Sequence, residues 1–350
     1  MRNDEAKAVR LLLWLGVPIL AILALVAVFF AANRPPVVNV PSQKLPNPNG
    51  WDDFVRAGQL VQTVPLGPYS DIRKPQDWTV GELKTWAQAA APAIAMLRQG
   101  LTKQCVHPPV RTASYMFRAE TDIRELARAE EGMALYYESI GKPALAAESI
   151  LDAVEMGVVI QHGGTIITAF TGNSIERVTL RHLEPLLGKL SADDLAHVAE
   201  HMQKISAERV PYSDIILEES RAIAAMDAEL FARKERRLTY AVDWEAWYVD
   251  RSKQPSTLDR VKHSASFAFI NKSRMIAENR AYLEALAKEQ RGLYTGKSKV
   301  PLPDNPVVKL YANSFIKERG SFVRNETAFV ILQTKVALMR YRTKHGRYPS

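Results

Sequence analysis

The residues with the clearest capacity for chemistry are His197, Glu200 and His201, in the stretch His197-Val198-Ala199-Glu200-His201. Two histidines at i and i+4 share one face of a helix and can chelate a zinc ion, while the glutamate beside them can take a proton from a bound water. The order H-x-x-E-H is the inverted form of the zinc-hydrolase motif. A helix must present the pair, and a third ligand must reach it from elsewhere in the chain.

Inverted zinc peptidases supply that third ligand from a glutamate at a sequence distance similar to that of Glu278. The surrounding helix points elsewhere. Leu195, Val198, Met202 and Ile205 form its apolar stripe, which places both histidines on the polar side. The peptidases also set their motif in a domain containing strands, and this chain has no run of alternating strand character. We therefore expect solvent-facing histidines, no bound zinc, and no assignable catalytic, cofactor-binding or metal-binding residue. The zinc set His197, His201 and Glu278, with Glu200 as base, stands as the alternative.

Other arrangements carry less. Gly163-Gly164 and Thr171-Gly172-Asn173 lack the spacing of a phosphate loop, and no G-x-S-x-G element is present. The only cysteine, Cys105, excludes an intramolecular disulfide and any cysteine-cluster metal site; it reads as a small buried hydrophobe. The aromatic group Tyr240, Trp244, Trp247 and Tyr248 reads as helix-packing surface.

The element that locates all of these is Leu11–Ala32, a run without one charged side chain. It is long enough to cross the roughly 30 Å hydrocarbon core, which needs about 20 apolar residues. Cleavage after Ala31 or Ala32 would set Phe29 or Phe30 at the −3 position, where small residues are required, so an uncleaved signal-anchor is expected. Arg2, Lys7 and Arg10 precede the run and only Arg34 follows closely, which orients residues 1–10 to the cytoplasm and the rest outside it. The expected location is the inner (plasma) membrane, single-pass, with the bilayer as the first partner.

Residues 33–50 contain Pro35, Pro36, Pro41, Pro46 and Pro48 and read as an extended linker, about 50 Å long in polyproline form. Residues 51–350 then read as an all-α domain of antiparallel helical pairs, with room for a subdivision near 250–257. Thr79-Val80-Gly81-Glu82 is a capping box opening a helix that Gly100 should stop. Further helices are expected over 51–64, 114–140, 143–159, 166–187, 191–207, 212–250, 258–291 and 306–344. Ala134, Tyr137, Gly141, Ala146, Ile150 and Ala153 follow the small/large alternation of a tetratricopeptide hairpin, with Pro143 suited to a first turn. No second copy follows at a 34-residue period, so a single hairpin is expected.

Charge is divided unevenly. Residues 1–230 hold 22 Lys+Arg against 27 Asp+Glu, and residues 231–350 hold 24 against 11, within a net charge of +8. A basic distal part, with Lys234, Arg236, Arg237 and the charges near 340–347, suits an anionic protein or envelope partner. The expected topology keeps it from nucleic acid. Self-association is compatible with the pattern.

Several stretches together resemble a family of uncharacterised bacterial single-pass proteins with a large external helical domain. They are Asn49-Gly50-Trp51-Asp52-Asp53, the hairpin, Gly163-Gly164 before an apolar helix, Phe269-Ile270-Asn271-Lys272, and the terminus from Ala337 to Ser350. The resemblance implies the anchor and the helical domain, and brings no activity, cofactor or catalytic residue. The phrase Tyr341–Ser350 is also similar to the segment after the long helix of type II secretion pseudopilins. The anchor here lies far upstream and no prepilin-type processing site precedes it, so this reads as a shared way of ending a helix: Gly346 stops it, Pro349 breaks it, and the tyrosines pack back. In look-alikes that phrase continues into further sequence, so an incomplete C-terminus is expected. The function expected from the sequence is a membrane-anchored, non-catalytic binding or scaffold module; the alternative is a membrane-tethered hydrolase.

Overall fold

A computed structural model describes residues 2–32, 34, 37–70, 74–232, 271–292, 294–303 and 306–349. Among them are ten α-helices, two short 3-10 turns and no strand. The helices are α1 (Arg2–Ala32), α2 (Gly50–Val61), α3 (Val80–Leu101), α4 (Arg118–Ser139), α5 (Pro143–Val159), α6 (Ile166–Leu186), α7 (Ala192–Ala207), α8 (Tyr212–Ala232), α9 (Lys272–Glu289) and α10 (Pro306–His345). The all-α class expected from the periodicity is the class observed. Lys234, Arg236, Arg237, the aromatic group at 240–248, the division near 250–257, and Phe269 and Ile270 lie outside the described residues.

Local chemistry sets the helix ends. Thr79 and Glu82 close a capping box on α3, and Ser191 and Asp194 close a second on α7, each satisfying two amides that the first turn leaves free. Gly141 adopts φ +69° in the tight turn before Pro143, and Gly163 adopts the same φ where the pattern breaks after α5. Gly346, at φ +71°, ends α10 and donates its amide to the Arg342 carbonyl at 2.7 Å. Tyr348 then folds back beneath the Arg342 guanidinium, 5.2 Å from the ring centroid.

The helices stack in two layers. Helices α2, α4 and α6 neighbour one another in turn, and so do α3, α5 and α7. A single hairpin was expected, whereas the α4–α5 hairpin sits inside a repeat-like stack. The hairpins α2–α3 and α4–α5 begin at residues 50 and 118, and α6 packs on α5 rather than pairing with α7; this irregularity is why no fixed period shows in the sequence. The α5–α6 contact is close enough to require glycine on both sides. A Cβ on Gly172 would overlap the Gly157 carbonyl oxygen, and one on Gly157 would stand 2.9 Å from the Gly172 carbonyl oxygen.

Gly100 does not stop α3, which runs on to Leu101. Its missing side chain makes room for the Phe54 ring, 2.6 Å from where a Cβ would stand. Cys105 is buried beside this contact, as expected for a small hydrophobe, and burial pushes its thiol pKa up.

Beyond the stack, α8 pairs with α9, and α10 lies against α6, α7 and α8. Phe329, Leu332 and Val336 of α10 complete the apolar cluster of α5, α6 and α7, while Val308, Ala312 and Phe315 complete that of α8 and α9. The Pro-rich segment does not stand off as a free spacer over its described length. Val38 packs against the α8–α9 cluster and the Gln43 side chain reaches Gly163, because the alternation of proline with apolar and amide side chains gives this segment groups to dock.

Most described side chains of α1 are exposed, with Trp14 81 % and Leu20 68 % accessible, and Phe29 is half-buried beside Phe30. Among the described residues no helix is long and apolar enough to cross a membrane.

Candidate functional site

The layer of α3, α5 and α7 carries a cleft of about 830 Å³ whose charged lining comes from Arg98 of α3, Glu148, Asp152 and Glu155 of α5, and His197, Glu200, His201 and Lys204 of α7, with Thr102 at the C-cap of α3 and Leu145 and Leu151 beside them. Its floor is built of ion pairs between neighbouring helices. Arg98 Nε donates to Asp152 Oδ2 at 2.8 Å, tying α3 to α5. The two oxygens of Glu155 are divided between α7 groups, with His201 Nε2 at 2.7 Å and Lys204 Nζ at 2.7 Å. Each carboxylate of this floor therefore meets a cationic or imidazole group from an adjacent helix.

The environments separate the titrating groups. Burial pushes the Glu155 carboxyl up, but hydrogen bonds from His201 and Lys204 outweigh it and hold the pKa below the usual value. Burial raises that of Asp152 despite Arg98. Behind the floor stands Glu130 of α4, fully buried. Burial and then the neighbouring Asp152 push its pKa well up, against the pull of Arg98. Arg98 itself is lowered by burial but raised further by Glu130 and Asp152, so it stays charged.

The sequence-derived zinc set divides here. His197 and Glu200 are exposed on the rim, as expected. His201 is not simply solvent-facing: its side chain is 20 % accessible and engages Glu155, because α7 packs beside α5 and turns this polar position toward its neighbour. Glu278 is not among the cleft residues; it lies on α9 in an i, i+4 pair with Arg274 at 2.8 Å. Among the described residues no three His, Cys, Asp or Glu side chains stand together as a metal-ligand set.

Arg98, Asp152, Glu155 and Glu130 were not singled out from the sequence. One signal was present: Asp152 and Glu155 interrupt a helix that is otherwise apolar almost all round, and a buried acid in such a helix needs a partner.

Two further polar groups lie inside the body. His107 Nε2 stands 3.1 Å from Glu120 Oε1, to which Thr168 Oγ1 also donates at 3.1 Å, all fully buried. Arg209, from the loop after α7, forms a bidentate pair with buried Glu176 of α6 and lies 4.5 Å above the centroid of the Phe329 ring. That pair lines a second cleft of about 630 Å³, shared with Tyr212 and Arg319. Both groups tie helices together.

Comparison with known proteins yields no matching family model, no matching curated protein and no matching solved structure.

Proposed function

We propose that this protein is a membrane-anchored binding or scaffold module of the cell envelope, non-catalytic, with the cleft over α3, α5 and α7 as its receiving surface. The observation that supports this reading is the cleft floor: Arg98 pairs with Asp152, and Lys204 and His201 both engage Glu155. A preformed, charge-paired groove between stacked helices accepts an extended or helical segment without any reacting group. Glu148 and Glu200 stand on the rim, which suits a basic segment there. The anchor in this reading is the uncharged run Leu11–Ala32, which rests on the sequence rather than on the described helix, and the charges around it set the body outside the cytoplasm of a single-pass inner-membrane protein.

Photo-crosslinking in cells tests the reading. A crosslinking side chain at Thr102 or Leu145, on the cleft, should give discrete adducts that one at Thr63 does not. Glu148→Lys with Glu200→Lys should reduce their yield about tenfold. Equal adducts from all three positions would remove the cleft from the proposal.

Topology is tested separately. Protease added to spheroplasts should degrade the helical body, and its survival without permeabilisation would overturn the external placement.

The second reading is a membrane-tethered hydrolase using His197, Glu200 and His201. It draws on one observation, that His201 stands in a cleft beside a carboxylate. It requires His201 to leave Glu155 and a third ligand to arrive.

A further inference from the structure

The distal half of α10 has two apolar faces, and the described residues cover one of them. Phe329, Leu332 and Val336 are buried against α5, α6 and α7. On the opposite side Thr327, Ile331, Thr334, Leu338, Tyr341 and His345 follow one another at intervals of four, three, four, three and four residues. Ile331 is 64 % and Leu338 38 % accessible, with Val330 beside them at 50 %. The alternation of four and three repeats every seven residues, the heptad of a narrow helix-packing seam rather than the broad face of a globular core.

The seam is flanked by one sign of charge. Lys335, Arg342 and Lys344 stand beside it on the helix, and from Thr327 to Ser350 there is no Asp or Glu. Lys335 meets Glu184 of α6 at 2.5 Å, and a cleft of about 470 Å³ opens beside it between Leu338, Tyr348 and the turn after α6.

We infer that the outer face of α10 is a docking surface for an acidic amphipathic helix of a partner protein. The partner lays an apolar stripe along Ile331, Leu338 and Tyr341 and sets Glu or Asp against the flanking cations. A second copy of this chain would place cation against cation in either orientation. A bilayer surface favours a wide face of large apolar side chains, whereas Thr327, Thr334 and His345 lie on the centre line here. The inference rests on the proposed binding role and gives the anionic partner a chemical form. It concerns a surface separate from the α3/α5/α7 cleft.

The test uses the full-length chain in neutral-lipid nanodiscs. The probe is a synthetic helix of about four heptads with Leu and Ile at the seam and Glu at the flanks. The control peptide has the same composition with the seam residues moved out of register. The acidic helix should bind, weaken with added salt, and lose about tenfold or more in affinity on Ile331→Lys with Leu338→Lys. Arg342→Glu with Lys344→Glu should lose a similar factor, so a folding defect in either pair does not decide the result. Equal binding of the out-of-register peptide would overturn the inference. So would binding of phosphatidylglycerol vesicles, or concentration-dependent self-association, in place of peptide binding and lost in the same variants. Crosslinks from Thr102 and Leu145 should persist in these variants, which separates failure here from failure of the cleft.

Discussion

Replacing Arg209 with methionine should destabilise the helical body by about 3–5 kcal/mol at pH 8, because the change strands a buried charge. Glu176 is 1 % accessible, and Arg209 grips both of its oxygens. Methionine keeps much of the packing over Phe329 but provides no counter-charge. The pH dependence has a definite sign. Burial already raises the Glu176 pKa even with Arg209 present, and removing the guanidinium raises it further. A carboxyl with a raised folded-state pKa contributes stability below its unfolded pKa and loses it as pH rises through the folded value. The deficit of the variant should therefore be largest in alkali and shrink as the pH falls toward the carboxylate range. Thermal or denaturant melts of variant and parent at pH 8 and pH 5, followed by circular dichroism, measure it. A deficit equal at both pH values would show that the packing over Phe329, not the charge, is what Arg209 supplies.

Phe329→Ala should cost about 3–5 kcal/mol, within the usual range for emptying a fully buried phenylalanine site. The ring is wholly inaccessible and joins α10 to the cluster of α5, α6 and α7. It also carries the Arg209 guanidinium on its outer face. The loss should fall unevenly: limited proteolysis should cut α10 distal to the site sooner than α4 or α5. The double variant with Arg209→Met should be less destabilised than the two single losses together, since the side chains touch. Strict additivity would place the two in separate units.

Much of the body was legible in the sequence where a local device sets it. The capping box at Thr79, Pro143 after the Gly141 turn, and the Gly346 stop each act within one helical turn, and each ends or begins a helix as read. Gly100 was misread because a helix stop and a close interhelical contact both demand the absence of a Cβ, and only the position of Phe54 tells them apart. The stack was hidden by the irregular pairing of its helices. The cleft was hidden for a related reason: Arg98, Asp152 and His201 come from three helices, and only their packing brings them together. Adjacent Glu130 and Glu131 are both buried. An acid pair on a polar helix gives no local sign that two layers will close over it.

The reading of the cleft as a receiving surface rather than a catalytic one turns on whether His201 belongs to Glu155 or to a metal. The most direct measurement is the zinc content and hydrolytic activity of the full-length chain, purified in detergent and passed through gel filtration. The expected result is no stoichiometric zinc and no cleavage of peptide or glycan substrates, with His201→Ala changing neither. One equivalent of zinc that survives filtration, with a hydrolytic activity abolished by His201→Ala and by Glu200→Gln, would contradict it.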